Sequence, residues 1–362
     1  MGLFTHGIDV SYTVTLKSSG HQFEVAEGET VLDAAQRAGL ALPYSCRAGV
    51  CGSCKAIVLE GCFDYPRNPP TALNAAERAQ HAALLCQAVP RSDLVLQVRE
   101  VRSVEDMPHR QLDVMVTAKD RLAPDVVRLL LASPPGQPRL RWLPGQYVDV
   151  LLDDDKRRAF SLARAPHLGP ELEVHVRHVA GGGFTSWVFH DLAVGDTLRI
   201  EGPQGTFVPR EDAERPMILM AGGTGFAPVK ALIEHFLHLG TRRPMHFYWG
   251  ARTAADLYLR ALPEQWAREV PTLDFIPVIS DAGEAARAES RMGLVHEAVL
   301  EDWPDLSAMD VYMCGPPALI DAGRRSFAAA GLPEDHLYYD SFEYAPDVLE
   351  KILGSRAGIH GL

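Results

Sequence analysis

Three cysteines fall within nine positions in YSCRAGVCGSCKA (residues 44–56): Cys46, Cys51 and Cys54, spaced C-x4-C-x2-C. A fourth, Cys86 in LLCQA, follows 32 positions later. Thiols this dense point to a metal, a disulfide or a redox centre. Six cysteines in 362 residues is ordinary usage, and clustered cysteines in a reducing compartment favour metal or redox chemistry over disulfides. The spacing is that of a [2Fe-2S] site, in which four thiolates hold two irons and a distant ligand closes the site. Structural zinc is the rival, yet zinc sites pair two C-x2-C knuckles and only one is present. Gly49 and Gly52 give the loop the backbone freedom to curl, and small residues let amides approach sulfur. Cys62 reads as a buried thiol on a strand, outside the ligand set.

Further along, KRRAFSLA brings together a fixed cation (Arg158), a flat ring (Phe160) and a hydroxyl (Ser161), followed by Leu162. That combination suits a phosphate and a planar heteroaromatic group. HVRHVAGGGFTSWV carries His175 and Arg177 on a strand, then Gly182, Gly183, Thr185 and Ser186 where a helix begins, and a helix N-terminus binds phosphate well. AGGTGFAP (Gly222, Gly223, Thr224, Gly225, Pro228) lies between strand and helix but is neither G-x-G-x-x-G nor a P-loop. CGPP (Cys314, Gly315, Pro316) ends a late strand, and YYDSFEYAP near the C-terminus offers Phe342 and Tyr344.

Three sets of elements must hold these residues. SYTVTL and HQFEVAEGE alternate as a hairpin, and GETVLDAAQRAGLAL has apolar residues at helical spacing behind a Thr30 cap. With the cysteine loop they predict a small α+β domain over 8–100, followed by a charged linker, 101–110. Over 111–210, strand-like segments between Pro and Gly turns predict an antiparallel barrel. Over 211–347, strands alternate with helices, which predicts a parallel, doubly wound sheet. The tail 348–362 reads as disordered.

The formal charge of −12 argues against a nucleic-acid partner. No apolar run approaches the length of a membrane span, and no basic region followed by an apolar core marks a signal peptide. A soluble, cytoplasmic protein is expected.

PYSCRAGVCGSCKA with LLCQA resembles the plant-type ferredoxin domain, a β-grasp fold. Arg158–Ser161 resembles the R-x-Y-S motif of the ferredoxin:NADP reductase superfamily, with Phe160 where tyrosine is usual. Gly183–Ser186 matches that family's G-x-x-S/T, Gly222–Pro228 its G-G-T-G-x-x-P, and Cys314–Pro316 its C-G-P. The resemblance implies FAD held by Arg158, Phe160, Ser161, Leu162, His175, Arg177, Gly182, Gly183, Thr185 and Ser186. It implies a nicotinamide dinucleotide on Gly222–Gly225, Pro228, Gly315 and Pro316, with Ser161, Cys314 and Phe342 at the reacting centre. After the second strand of the nucleotide domain, GARTAADLY offers Arg252, which would suit a cofactor 2′-phosphate, but also Asp256, and the GAR…DLY wording resembles relatives that use NADH.

Taken together, the three modules resemble the reductase components of multicomponent oxygenases, such as those of benzoate dioxygenase and phenol hydroxylase. The implied path runs from NADH through FAD to the [2Fe-2S] cluster. From there single electrons pass to a partner such as a Rieske-type dioxygenase, a demethylase or a hydroxylase, docked on the loop around Arg47–Val50. The same architecture serves reductases of deoxysugar 3-dehydration. A non-enzymatic iron-sulfur sensor would predict broken cofactor motifs, and here all are legible.

Overall fold

The alternation in SYTVTL has a direct structural result: Val14 and Leu16 are fully buried while Thr13 and Thr15 remain partly exposed. The computed structural model describes residues 11–67, 69–98, 100–101, 107–153, 156–180, 182–281 and 290–343. Tyr344 and the tail 348–362 lie outside the described residues. The chain forms two units, one up to Met107 and one from Pro108.

In the first unit, Ser11–Leu16 pairs antiparallel with Gln22–Ala26 and parallel with Leu94–Gln97. Lys55–Glu60 and Ala82–Leu84 complete a five-stranded mixed sheet. Helix Val31–Arg37 starts where Thr30 Oγ1 accepts the Asp33 amide, and its buried face is Val31, Leu32, Ala34 and Ala35. These side chains join Leu16, Val25, Leu84, Leu85 and Leu96 in one core.

The second unit opens with a six-stranded antiparallel sheet. Its order is Arg157–Ser161, Tyr147–Leu151, Thr197–Gln204, Arg110–Ala123, Val126–Ala132, Leu172–Arg177. An antiparallel bridge between Leu162 and Val174 joins the two outer strands, so the sheet closes on a core that includes Val116, Leu131, Val148 and Ile200. Helix Gly183–His190 follows the strand Leu172–Arg177.

A six-stranded parallel sheet completes the unit, ordered Arg291–Met292, Leu273–Ile279, Met245–Ala251, Met217–Gly222, Asp310–Gly315, Leu337–Ser341. Met217–Gly222 is first in sequence, and its neighbours are the second strand and the fifth. The strand order therefore reverses beside it. In such sheets the crevice at the carboxyl ends of the strands around this reversal receives ligands. Gly222 and Gly315 end the two strands that meet there.

Candidate redox centres

The cysteine loop is held from both sides. Amides of Val31 and Leu32, which have no partner within their helix, donate to the carbonyls of Ala88 and Leu85 at 3.0 Å each. Those carbonyls flank Cys86, so the helix start fixes the distant fourth thiol. The Leu85 amide donates to the Cys54 carbonyl at 3.1 Å. Gly49 and Gly52 have φ of 77° and 79°, the left-handed region expected of them, and Arg47 joins them at 56°. Arg47 is steadied there: Gln87 Nε2 donates to its carbonyl at 2.9 Å and its guanidinium pairs with Asp33 at 2.5 Å.

The four thiols gather in two pairs. Cys46 interacts with Cys51, and Cys54 with Cys86. Among the described residues no three His, Cys, Asp or Glu side chains converge on a point as a single metal ion would require. Two thiol pairs fit a binuclear cluster, one pair per iron. The Ala48 amide reaches Cys46 Sγ at 3.4 Å and the Ser53 amide reaches Cys51 Sγ at 3.5 Å. The Cys51 thiol first, and then backbone amides, bring the Cys46 thiol down to about 7. Cys51, Cys54 and Cys86 are buried. Cys62 is not: it is exposed in the turn before the short strand Phe63–Asp64, which corrects the buried reading. Its amide donates to Ser92 Oγ at 2.9 Å, so the chain reverses there and leaves the thiol outside the core.

On the barrel, Arg158 and Phe160 lie on one side of their strand and are half-buried, while Ser161 is 8% exposed. Phe160 packs near Phe184, ring centroids 5.6 Å apart, which links this strand to helix Gly183–His190. Leu162 belongs to the closing bridge and is fully buried. The Thr185 hydroxyl is taken up by its own loop, accepting the Val179 amide at 3.1 Å, and Ser186 Oγ lies 3.2 Å from His178. Open space surrounds Gly183. What this helix start presents outward is backbone, since its first amides have no acceptor within the helix.

His175 stands apart from the other expected flavin residues. Its side chain is 0% exposed, Nε2 lies 2.9 Å from Glu173 and Nδ1 2.9 Å from the Tyr258 hydroxyl. A carboxylate can only accept, so Nε2 carries the proton and Nδ1 accepts from tyrosine. Burial pushes its pKa down, and the ring is neutral. Neither nitrogen is left for a bound group.

At the sheet's reversal the backbones meet without side chains between them. A Cβ on Gly225 would lie 2.2 Å from the Cys314 carbonyl oxygen, and one on Gly315 would lie 3.1 Å from Gly222 Cα. Phe342 donates its amide to the Gly315 carbonyl at 2.9 Å, which brings the late aromatic beside Cys314. The Cys314 thiol is fully buried, and burial, then the Asp340 carboxylate, pushes its pKa up, so it remains a thiol. Trp249 Nε1 donates to the Gly223 carbonyl at 3.0 Å and stacks on Phe226 at 4.0 Å, which stiffens the loop from behind. Pro228 is buried in the helix that follows. Arg252 has an 82% exposed side chain beside Asp281, and Asp256 accepts both the amide and the hydroxyl of Thr253.

Arg177 supplies a test of what the crevice accommodates. One guanidinium nitrogen, Nη1, pairs with Asp125 at 2.7 Å. The other, Nη2, is buried without a hydrogen-bond partner among the described residues, and it would lie 3.8 Å from a Cβ on Gly223. A buried cationic donor without an acceptor is costly. With Asp256 also 3.8 Å from Nη1, the free nitrogen fits an anionic group of a bound cofactor between the end of strand Leu172–Arg177 and the Gly222–Gly225 loop.

Three families match in chain order: the 2Fe-2S iron-sulfur cluster binding domain over 14–91, the oxidoreductase FAD-binding domain over 113–208, and the oxidoreductase NAD-binding domain over 219–325. The chain is 37% identical to the CDP-6-deoxy-L-threo-D-glycero-4-hexulose-3-dehydrase reductase of Yersinia pestis over 92% of its length and 99% of the relative's. It is 33% identical to reductase component 1 of the terephthalate 1,2-dioxygenase of Comamonas sp, covering 93% and 99%. Among solved structures, the Amycolatopsis cytochrome P450 reductase GcoB matches with a TM-score of 0.72 at 35% identity, covering 91% and 98%. The chain is an iron-sulfur flavoprotein reductase.

Its cofactors are a [2Fe-2S] cluster, FAD and a nicotinamide dinucleotide. When bound, FAD converts a two-electron hydride donor into a source of single electrons, which a [2Fe-2S] cluster accepts one at a time. Around these groups the reductase also carries residues that no motif announces. Glu173 and Tyr258 bond to His175, and Lys230, paired with both Glu173 and Glu234, extends the cluster from the barrel to the helix behind the glycine loop. Burial pushes the Glu173 carboxyl up, but the His175 hydrogen bond and the Lys230 charge outweigh it and hold the group at about 2. The available signal was a buried-looking strand, LEVHVR, with charged residues inside it.

Proposed function

We propose that this reductase draws hydride from NADH and delivers single electrons through its cluster to a partner oxygenase. The observation that carries the reading is the pairing of Cys46 with Cys51 and Cys54 with Cys86 under a loop whose outer face is small and apolar. Ala48 and Val50 are solvent-facing there, Val50 40% exposed. Such a face lets a partner approach a buried redox centre closely, and Arg47–Val50 is the docking surface in this reading. Reductases of terephthalate dioxygenase, phenol hydroxylase and an aromatic O-demethylase among the relatives support an oxygenase as the acceptor.

The roles follow the motifs. Arg158, Phe160, Ser161, Arg177, Gly182, Gly183 and Ser186 serve FAD, and Gly222–Gly225, Pro228, Gly315 and Pro316 serve the dinucleotide. Ser161, Cys314 and Phe342 flank the reacting centre. Domain limits of 8–100, 111–210 and 211–347, a β-grasp first domain and a cytoplasmic location belong to the same reading. Directly after the second parallel strand Arg252 would attract a 2′-phosphate and Asp256, four residues on, would repel it; this reading takes Asp256 as deciding and NADH as the donor.

A second acceptor class has its own support: 37% identity with a hexulose-dehydrase reductase over nearly the whole chain. Reconstitution decides between them. The purified reductase with NADH is mixed in turn with a terephthalate-type dioxygenase and a 4-hexulose-3-dehydrase, and product is measured. Turnover with the dehydrase alone would replace the oxygenase reading.

A further inference from the structure

The functional reading leaves a buried charge cluster unused. Lys230 lies one turn into helix Phe226–His238 and is 5% exposed. Its ammonium donates to the Ala163 carbonyl at 2.8 Å and lies 2.7 Å from Glu234 Oε1 and 3.4 Å from Glu173 Oε1. Glu234, one turn on, accepts the Ala165 amide at 3.0 Å. Two side chains of one helix thus grip the carbonyl of Ala163 and the amide of Ala165, just past Ser161. From the other side the Ala163 amide donates to the Glu173 carbonyl at 2.7 Å. Farther along, the ring of His167 stacks on His238, 3.9 Å between centroids and 7° between planes.

The same helix begins at the glycine loop. Gly225 abuts the Cys314 backbone, and Phe226 stacks on Trp249. A single stiff element therefore runs from the nicotinamide loop to the strap that leaves Ser161. Apolar side chains would hold two domains together as firmly, because burying a lysine and two carboxylates is costly. What the ionic contacts add is direction: each fixes one atom of the strap against one atom of the helix.

We propose that Lys230 and Glu234 are positioning residues for hydride transfer, setting the register of Ser161 against the Gly222–Gly225 loop and Cys314. The proposal rests on the reductase reading. Neither side chain touches the reacting atoms; both act through the strap Leu162–Leu168.

The test compares full-length, cofactor-loaded wild type with Lys230→Met and Glu234→Gln. Stopped-flow reduction of the flavin across NADH concentrations separates the limiting rate from NADH affinity. Flavin fluorescence gives FAD affinity, and amide hydrogen exchange reports on residues 162–168. Lys230→Met is expected to lower the limiting rate on the order of a hundredfold, the scale of a misplacement of about 1 Å. NADH and FAD affinities remain as in wild type, and exchange at the strap quickens. Glu234→Gln, which keeps the volume, gives a smaller fall in the same direction. Unchanged limiting rates, or losses that appear only as weaker FAD or NADH binding, would overturn the proposal; if Lys230→Met does not fold, Glu234→Gln decides alone. Wild type that binds FAD yet is not reduced by NADH would instead overturn the reductase reading, and the exchange data would still test the clamp.

Discussion

Gly225→Ala isolates the closeness of the two backbones at the reversal of the parallel sheet. Gly225 has φ −57° and ψ −12°, values alanine adopts freely, so the substitution carries no backbone strain. The added Cβ, however, would sit 2.2 Å from the Cys314 carbonyl oxygen and 2.6 Å from its carbon. That is about 0.8 Å inside the 3.0 Å that real Cβ contacts keep, and the obstacle is backbone. Gly222→Ala makes the matched comparison. Its backbone is extended, and the nearest atom, at 2.5 Å, is Leu319 Cδ1, a side-chain end that can swing away. Overpacking costs about 1–3 kcal/mol, and each kcal/mol lowers the melting temperature of a unit of this size by ~2–4 °C. Prising the glycine loop from Cys314 by the same fraction of an ångström should slow flavin reduction by NADH on the order of a hundredfold. FAD and iron content should be those of wild type, because neither the barrel nor the cysteine loop is touched. Differential scanning fluorimetry and single-turnover absorbance measure both effects. Gly225→Ala that melts and reduces like wild type, or Gly222→Ala that proves the worse of the two, would refute the reasoning.

Purified protein should contain about two irons and about one FAD per chain; one zinc and no iron would contradict the cluster assignment. Cys51→Ser should abolish cytochrome c reduction while sparing NADH reduction of the flavin, and loss of both would contradict the modular path. Steady-state kinetics should show a higher kcat/KM with NADH than with NADPH, and the reverse would remove Asp256 from the discrimination. Stability of the flavin-nicotinamide unit should fall with acid in two windows. His175 has a folded pKa below its usual 6.5, so its contribution is present above 6.5 and lost as pH falls below it. The carboxyl of Glu173 is held at about 2 against a usual 4.5, so its contribution persists above 4.5 and drains away toward 2. Glu234 opposes them, since its raised pKa favours the folded state as it protonates. Melting followed by flavin fluorescence from pH 8 to 3 checks the balance, and a midpoint that climbs between 6.5 and 4.5, or that is unchanged between 4.5 and 3, would contradict it.

Features with strict local periodicity were legible in the sequence. Val14 and Leu16 alternate with threonines, and the strand-like stretches of 111–210 form a six-stranded antiparallel sheet. Cys46, Cys51 and Cys54 share a loop whose curl is a local property of Gly49 and Gly52, whereas Cys86 is brought to it by the long-range bonds from Val31 and Leu32, which no local pattern encodes. The strand Leu337–Ser341 escaped, since LYYDS buries an aspartate and offers neither an apolar run nor a turn signal. The resemblance placed His175 among the flavin residues, but its ring nitrogens are taken by Glu173 and Tyr258, a pairing that strand alternation does not encode. Glu173, Lys230 and Glu234 form one cluster from segments almost sixty residues apart, which no single-chain pattern encodes.

Those hidden residues bear on why the two ends of the electron path are built differently. Hydride transfer needs reacting atoms within about 3–3.5 Å and aligned, so an error of one ångström matters. At that end the structure excludes freedom: Gly225 lies against Cys314, Phe342 bonds to Gly315, and Lys230 and Glu234 hold the strap after Ser161. The cluster end forms and breaks no covalent bond to a substrate atom, and it must serve a partner that comes and goes. Its loop accordingly turns Ala48 and Val50 outward, with the nearest charge, Arg47, already tied to Asp33. Substitutions at the first end should therefore appear as slower chemistry with any acceptor, whereas substitutions of Ala48 or Val50 should change one partner's rate and spare cytochrome c. Equal effects of Val50→Glu on both acceptors would remove the distinction, and with it the case for Arg47–Val50 as the docking face.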